Sequence, residues 1–142
     1  MKKPGEVTAL VREAFAGSTG EFRPCIVFDE RLDCIRVVVR DCSVTETRIN
    51  ELITILEDNY YPASGGNRRY VGFTVKGARH FCQSQGLNIA TPVKLSAIFD
   101  KILAVSPEPV VQMAIDGIAR PLMEDQKLEE RVDLSTPVLQ GT

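Results

Sequence analysis

The residues best suited to bind a ligand lie in one basic, glycine-rich stretch. It reads Gly65-Gly66-Asn67-Arg68-Arg69-Tyr70 and is soon followed by Lys76, Gly77 and Arg79. Glycines allow a ligand to approach the backbone closely, and neighbouring arginines can bind an anion bidentately. A helix starting after Gly77 would direct free N–H groups at the same anion. The glycine spacing matches neither a P-loop nor a dinucleotide fingerprint. The predicted ligand-binding residues are Arg68, Arg69, Tyr70, Lys76 and Arg79.

The charge distribution points to an anionic small molecule or an acidic protein surface as the ligand. The net charge is only −2, but the segment between Asn59 and Phe99 contains no Asp or Glu and five of the 17 basic residues. The flanking segments carry all 19 acidic residues against 12 basic ones, a net charge of −7. Such asymmetry indicates where a charged partner would bind. The alternative is an ordinary solvated loop whose arginines pair with the acidic flanks.

A nucleic acid is a second possible ligand, and the sequence favours it less. Two predicted helices between Lys76 and Ala104 have Gly86 at the turn between them, as in a helix-turn-helix. The connection from Gly86 to Thr91 is too long for that motif, and the second helix is mostly apolar. The negative net charge also removes long-range attraction to phosphate.

The residue pattern gives little support for an enzyme. His80 and Cys82 are two residues apart, so a helix would point them to nearly opposite faces, and we expect Cys82 in the core. The acidic residues Asp29, Glu30 and Asp33 cluster where a hairpin turn is predicted, which is expected of turn chemistry. A small enzyme with a reactive cysteine remains an alternative. We assign no catalytic residue, metal ligand or cofactor.

The first part of the chain alternates between helix and strand patterns. Pro4 to Ala16 has helical spacing, and residues 22–28 and 35–39 alternate as a β-hairpin. A loop from Asp29 to Leu32 would put Ile26 opposite Ile35, with the apolar side chains on one face. The other face is of mixed character and expected to be partly covered: Arg23, Cys25, Val27, Cys34, Arg36, Val38 and Arg40.

The next elements are predicted from caps and breaks. Ser43 and Glu46 form a capping-box pattern, which predicts an amphipathic helix carrying Ile49, Leu52, Ile53 and Leu56 on one face. Tyr60 and Tyr61 could stack on a ligand, but we expect them to close the core at the end of this helix. Tyr70 to Val75 reads as a third strand, in which Gly72 indicates a bulge or a close backbone approach.

The second half is predicted to be helical. Ala78, Phe81 and Cys82 line a short helix ended by Gly86 in the left-handed conformation. Thr91-Pro92 and Ser106-Pro107 are typical helix starts, and Pro121 should kink or end the last helix.

The sequence therefore predicts an α+β fold: a small antiparallel sheet, made of a hairpin and a third strand, packed by the capped helix, with a helical C-terminal half. We expect one domain over residues 1–134 and a flexible tail over 135–142. The apolar content of 44% is ordinary for a globular protein, and the four scattered cysteines are typical of reduced thiols. No apolar stretch is long enough to span a membrane. We expect a cytoplasmic, non-enzymatic binding domain that forms homo-oligomers and does not engage membranes.

Overall fold

An antiparallel sheet of five strands forms one layer of the fold, and helices cover one of its faces. The computed structural model describes residues 22–66 and 68–135, so the predicted helix over residues 4–16 and residues 136–142 of the predicted tail lie outside it. The strands are β1 (Cys25–Asp29), β2 (Cys34–Val38), β3 (Val44–Arg48), β4 (Ile53–Asp58) and β5 (Tyr70–Lys76). Their order in the sheet is β1-β2-β5-β4-β3. A second, two-stranded sheet pairs β6 (Val93–Lys94) with β7 (Arg131–Val132). The predicted α+β class is confirmed.

The predicted hairpin is present as β1 and β2, with a different register. Ile26 pairs with Val37 rather than with Ile35, and the turn runs over residues 30–33 rather than 29–32. Because this is a shift of two residues, and side chains alternate with a period of two, the apolar residues keep to one face as predicted.

Residues 43–58 form a second hairpin, so the predicted capped helix is wrong. Glu46 lies in the middle of β3, where it cannot form a capping box. Asn50 makes the turn between β3 and β4, because its Oδ1 accepts hydrogen bonds from the N–H groups of Leu52 and Ile53, both at 2.8 Å. The sheet consequently has five strands instead of the three that the sequence predicts.

The bulge and the close approach predicted at Gly72 are both confirmed. The ladder between β4 and β5 shifts register so that Leu56 pairs with Gly72 but Glu57 pairs with Tyr70. A Cβ atom on Gly72 would lie 2.2 Å from the backbone oxygen of Val37 and 3.0 Å from Leu56 Cδ1. Only glycine therefore fits between β2 and β4 at this point.

The helical half begins with α1 (Ala78–Ser84), which buries Ala78, Phe81 and Cys82 as predicted. Gly86 follows it with a φ of +76°, the predicted left-handed conformation. The next helix, α2 (Leu95–Val105), starts later than the Thr91-Pro92 pair indicates, because residues 93 and 94 pair with β7.

The last helical run consists of three segments in direct succession. They are α3 (Pro109–Gln112), a π-helical segment (Met113–Ala119) and α4 (Arg120–Gln126). The run starts at Pro109 rather than at Pro107, and Pro121 does not end it. Pro121 is the second residue after the π-helical segment. The altered hydrogen-bond pattern of that segment can accommodate a residue without an N–H group.

One hydrophobic core joins the sheet to the helices. Phe73 of β5 packs against Phe99 of α2 with ring centroids 5.6 Å apart. The inner face of the sheet is the one that carries Phe73, and the outer face is the one opposite. β4 is buried on both: Ile53 and Ile55 point inward, whereas Thr54 and Leu56 point outward and are also buried.

Candidate functional site

A buried carboxylate organises the loop between β4 and β5. Asp58 ends β4, and its side chain is fully buried. Its Oδ2 accepts a hydrogen bond from Ser64 Oγ at 2.6 Å, and its Oδ1 accepts one from the Tyr60 N–H at 3.1 Å. The hydrogen bond from Ser64, then that from Tyr60 and the charge of Arg40, hold the pKa of Asp58 below its ordinary value against the opposing effect of burial.

Arg40 supplies the cation that faces this carboxylate. Its Nη1 lies 3.1 Å from Asp58 Oδ2, and its Nη2 donates to the backbone oxygen of Ser64 at 3.2 Å. A Cβ atom on Gly66 would lie only 1.1 Å from Arg40 Nη1. A side chain at position 66 would therefore clash with the guanidinium of Arg40. This clash explains the glycine without any need for a ligand at that point.

Three tyrosines and two arginines lie on or next to this anchored loop. We name Tyr60, Tyr61, Arg68, Arg69 and Tyr70 the Tyr–Arg surface. Tyr60 is 62% and Tyr61 42% exposed, so the expectation that they close the core is wrong. The guanidinium of Arg69 lies 5.5 Å from the centroid of the Tyr70 ring, a cation–π distance.

The arginines of this surface also pair with acidic groups of the chain, as the solvated-loop alternative anticipates. Arg69 Nε lies 3.1 Å from Glu57 Oε2, and Arg68 Nη2 lies 3.3 Å from Asp125 Oδ2 of α4. The side chain of Arg69 is nevertheless 56% exposed. Exposed ion pairs of this kind contribute little to stability, so a partner can compete for them at little cost.

The structure does not bring Lys76 and Arg79 together with the other predicted ligand residues. Tyr70 and Lys76 are the two ends of β5, which places them roughly 20 Å apart at about 3.4 Å per residue. Arg79 is engaged within the fold: its Nε donates to the backbone oxygen of Leu134 at 2.7 Å, and its guanidinium lies 5.0 Å from the Phe28 ring centroid. The predicted set therefore divides into the Tyr–Arg surface and a separate basic end of β5.

The acidic residues of the hairpin turn have structural partners. Asp29 Oδ1 accepts hydrogen bonds from the N–H groups of the turn itself. Asp33 reaches further: its two carboxylate oxygens accept from the N–H groups of Arg79, at 2.6 Å, and His80, at 3.1 Å. Asp33 thus caps the N-terminus of α1, which lacks a capping side chain of its own at Gly77.

The histidine and the cysteines do not form a thiolate pair in the described residues. His80 is exposed, whereas Cys82 is buried, and burial raises the pKa of Cys82 to about 11. A thiol with so high a pKa is a poor nucleophile at neutral pH. Within residues 22–66 and 68–135, no group of three His, Cys, Asp or Glu side chains could hold a metal ion.

A cavity of about 290 Å³ lies in the helical half, and none of the predicted ligand residues lines it. Arg120 occupies one wall, where its guanidinium binds Asp100 at 2.7 Å and Asp116 at 2.8 Å and stacks on Phe99. Its positive charge is therefore already compensated by two carboxylates. The lining residues are Phe99, Arg120, Met123, Glu124, Lys127, Leu128 and Glu130.

Comparison of this chain with protein-family models, curated proteins and solved structures found no match. No helix in the described part of the chain is both long enough and apolar enough to cross a bilayer. The Tyr–Arg surface is therefore the feature of the molecule that points to a function.

Proposed function

We propose that this chain is a non-enzymatic binding domain whose Tyr–Arg surface engages an acidic surface of a partner protein. The observation that carries the proposal is that Asp58 holds the loop on which exposed tyrosines and an exposed arginine stand. The buried carboxylate of Asp58 accepts hydrogen bonds from Ser64 and from the N–H of Tyr60, and its own N–H donates to the backbone oxygen of Arg69 at 2.7 Å. A loop that is fixed before binding loses little conformational entropy when the partner docks. Tyrosine and arginine are also enriched among the residues that dominate binding energy at protein interfaces.

A protein surface fits this arrangement better than a small anion does. The two arginines pair in different directions, Arg69 with Glu57 in β4 and Arg68 with Asp125 in α4, so they do not converge on one point. Tyr60 and Tyr61 add exposed aromatic area beside them. Carboxylates of a partner would replace Glu57 and Asp125 as ligands of the arginines, while the tyrosine rings pack against the partner's apolar atoms.

The test is binding of a fluorescently labelled acidic peptide, followed by fluorescence anisotropy at two salt concentrations. The control peptide has every Asp and Glu replaced by Asn and Gln. The double variant Arg68→Ala/Arg69→Ala should bind the acidic peptide about tenfold more weakly than the wild type. The matched control Arg31→Ala/Lys94→Ala removes the same charge from two other exposed residues and should bind like the wild type.

The tyrosines separate this proposal from simple charge attraction. Tyr60→Ala/Tyr61→Ala leaves the charge unchanged and should also weaken binding of the acidic peptide. The proposal would be contradicted if Arg68→Ala/Arg69→Ala and Arg31→Ala/Lys94→Ala lost the same amount of affinity for the acidic peptide. It would also be contradicted if the wild type bound the acidic and the amide peptides equally well. Circular dichroism verifies that each variant is folded.

A further inference from the structure

The two edge strands of the sheet differ in their protection against pairing. β3 has the sequence Val-Thr-Glu-Thr-Arg, and its last four residues are exposed. Charged residues on an edge disfavour the addition of another strand. β1 has the sequence Cys-Ile-Val-Phe-Asp, uncharged until Asp29, with Val27 51% exposed. β1 is the outermost strand on this side of the described sheet, and β7 contacts it without forming a ladder with it. We propose that β1 of a second copy of this chain pairs with this edge, antiparallel, about a twofold axis at Ile26.

The hydrogen bonds of the sheet identify the backbone groups that are free at this edge. Val39, directly after β2, donates its N–H to Val71 at 2.9 Å, so alternate residues of β2 turn toward the neighbouring strand β5. Arg36 is out of phase with Val39 and therefore turns toward β1, where it pairs with Val27. Val27 thus bonds to β2, whereas Ile26 and Phe28 direct their N–H and C=O groups to the open edge.

A twofold axis at Ile26 satisfies these free groups except the C=O of Phe28. Ile26 and the second copy's Ile26 exchange two hydrogen bonds, and each Phe28 N–H donates to the C=O of Pro24 in the other copy. Pro24 has no N–H group to return, so each Phe28 C=O at the rim of the contact keeps its hydrogen bond to water. The pairing joins two sheets of five strands into one.

Charge complementarity selects this register. It puts Arg23 opposite the second copy's Asp29, twice by symmetry, and Arg23 forms no ion pair within the described residues. An axis at Val27 would instead put Arg23 opposite Arg31. Like charges directly opposite each other destabilise a strand pair.

Light scattering coupled to size-exclusion chromatography tests the dimer. The wild type should elute as a dimer whose dissociation constant rises about tenfold in Arg23→Glu, because two attractive pairs become repulsive. Arg48→Glu makes the same charge change on β3, at the opposite edge of the sheet, and should dimerise like the wild type. A monomer at all concentrations, or equal effects of the two substitutions, would overturn the inference.

Disulfide cross-linking tests the register independently of oligomer size. The axis at Ile26 puts Cys25 opposite the second copy's Val27 in a pair without mutual hydrogen bonds, with Cα atoms about 4.5 Å apart, which suits a disulfide. Val27→Cys should therefore link Cys25 to position 27 of the other copy on oxidation, as mass spectrometry of the peptides would show. Cys25→Ser/Val27→Cys should not link, and a bond between the two introduced cysteines would refute this register.

The dimer and the Tyr–Arg surface are independent proposals. Arg68→Ala/Arg69→Ala should dimerise normally, and Arg23→Glu should still bind the acidic peptide, so the failure of either proposal can be recognised separately.

Discussion

Replacing Gly72 by alanine tests how tightly the centre of the sheet is built. The new methyl group would lie 2.2 Å from the backbone oxygen of Val37, so β2 and β5 must separate or twist. Overpacking at a backbone contact costs about 3 kcal/mol, and the loss of glycine's freedom in the unfolded chain returns roughly 0.4–1 kcal/mol. The free energy of unfolding should therefore fall by about 2 kcal/mol, and the Tm by roughly 4–8 °C for a chain of this size.

Urea unfolding followed by circular dichroism measures this change, and a second glycine gives the matched control. A Cβ atom on Gly117 would meet only Met113 Cγ, at 3.7 Å, within an exposed helical turn. Gly117→Ala should therefore raise the free energy of unfolding by about 0.5–1 kcal/mol. A Gly72→Ala protein within about 0.5 kcal/mol of the wild type would refute the close approach as the reason for glycine.

Three further predictions concern single side chains. Asp33→Ala should lower the free energy of unfolding by about 1–2 kcal/mol through loss of the cap on α1, and hydrogen exchange should quicken at the amide of Arg79, which would not happen if Asp33 served only its own turn. Because the pKa of Asp58 is lowered in the folded state, its contribution to stability is present above the pKa of the unfolded chain and lost as the pH falls through the folded value. Asp58→Asn should thus flatten the acid limb of the stability profile measured by urea titration, and an unchanged limb would contradict the assignment. In native protein, N-ethylmaleimide should modify the exposed Cys25 first and the buried Cys82 last, as peptide mass spectrometry can establish; rapid modification of Cys82 would contradict its burial and revive the cysteine-enzyme alternative.

The sequence predicted the fold class and the first hairpin but not the second hairpin. Ile49, Leu52, Ile53 and Leu56 have the spacing of an amphipathic helix, and Ser43 and Glu46 have the spacing of a capping box. Residues 53–56, however, also fit a strand buried on both faces, in which apolar and polar residues do not alternate. The β-branched Ile53, Thr54 and Ile55, together with the turn-forming Asn50, were the local signals that favoured a hairpin.

The candidate site was predicted in part. Arg68, Arg69 and Tyr70 lie on one surface as neighbours in sequence must, and the glycines before them marked the loop correctly. The pairing of Asp58 with Arg40 was not predictable, because the two residues are distant in sequence and Asp58 was assigned near the end of a helix. Because that ion pair was not foreseen, no pattern in the sequence indicated that Tyr60 and Tyr61 would be exposed to solvent.

The cap that Asp33 supplies to α1 has a consequence for the order in which the chain assembles. The cap lies 46 residues before the amide that it binds at Arg79, so the hairpin β1–β2 leaves the ribosome well before the helix it completes. During synthesis the β1–β2 hairpin can therefore form first, and Asp33 can then cap the first helical turn of α1 as that helix emerges. A circularly permuted chain that is translated from α1 onward would lack this template until the end, and we expect its helix to form last.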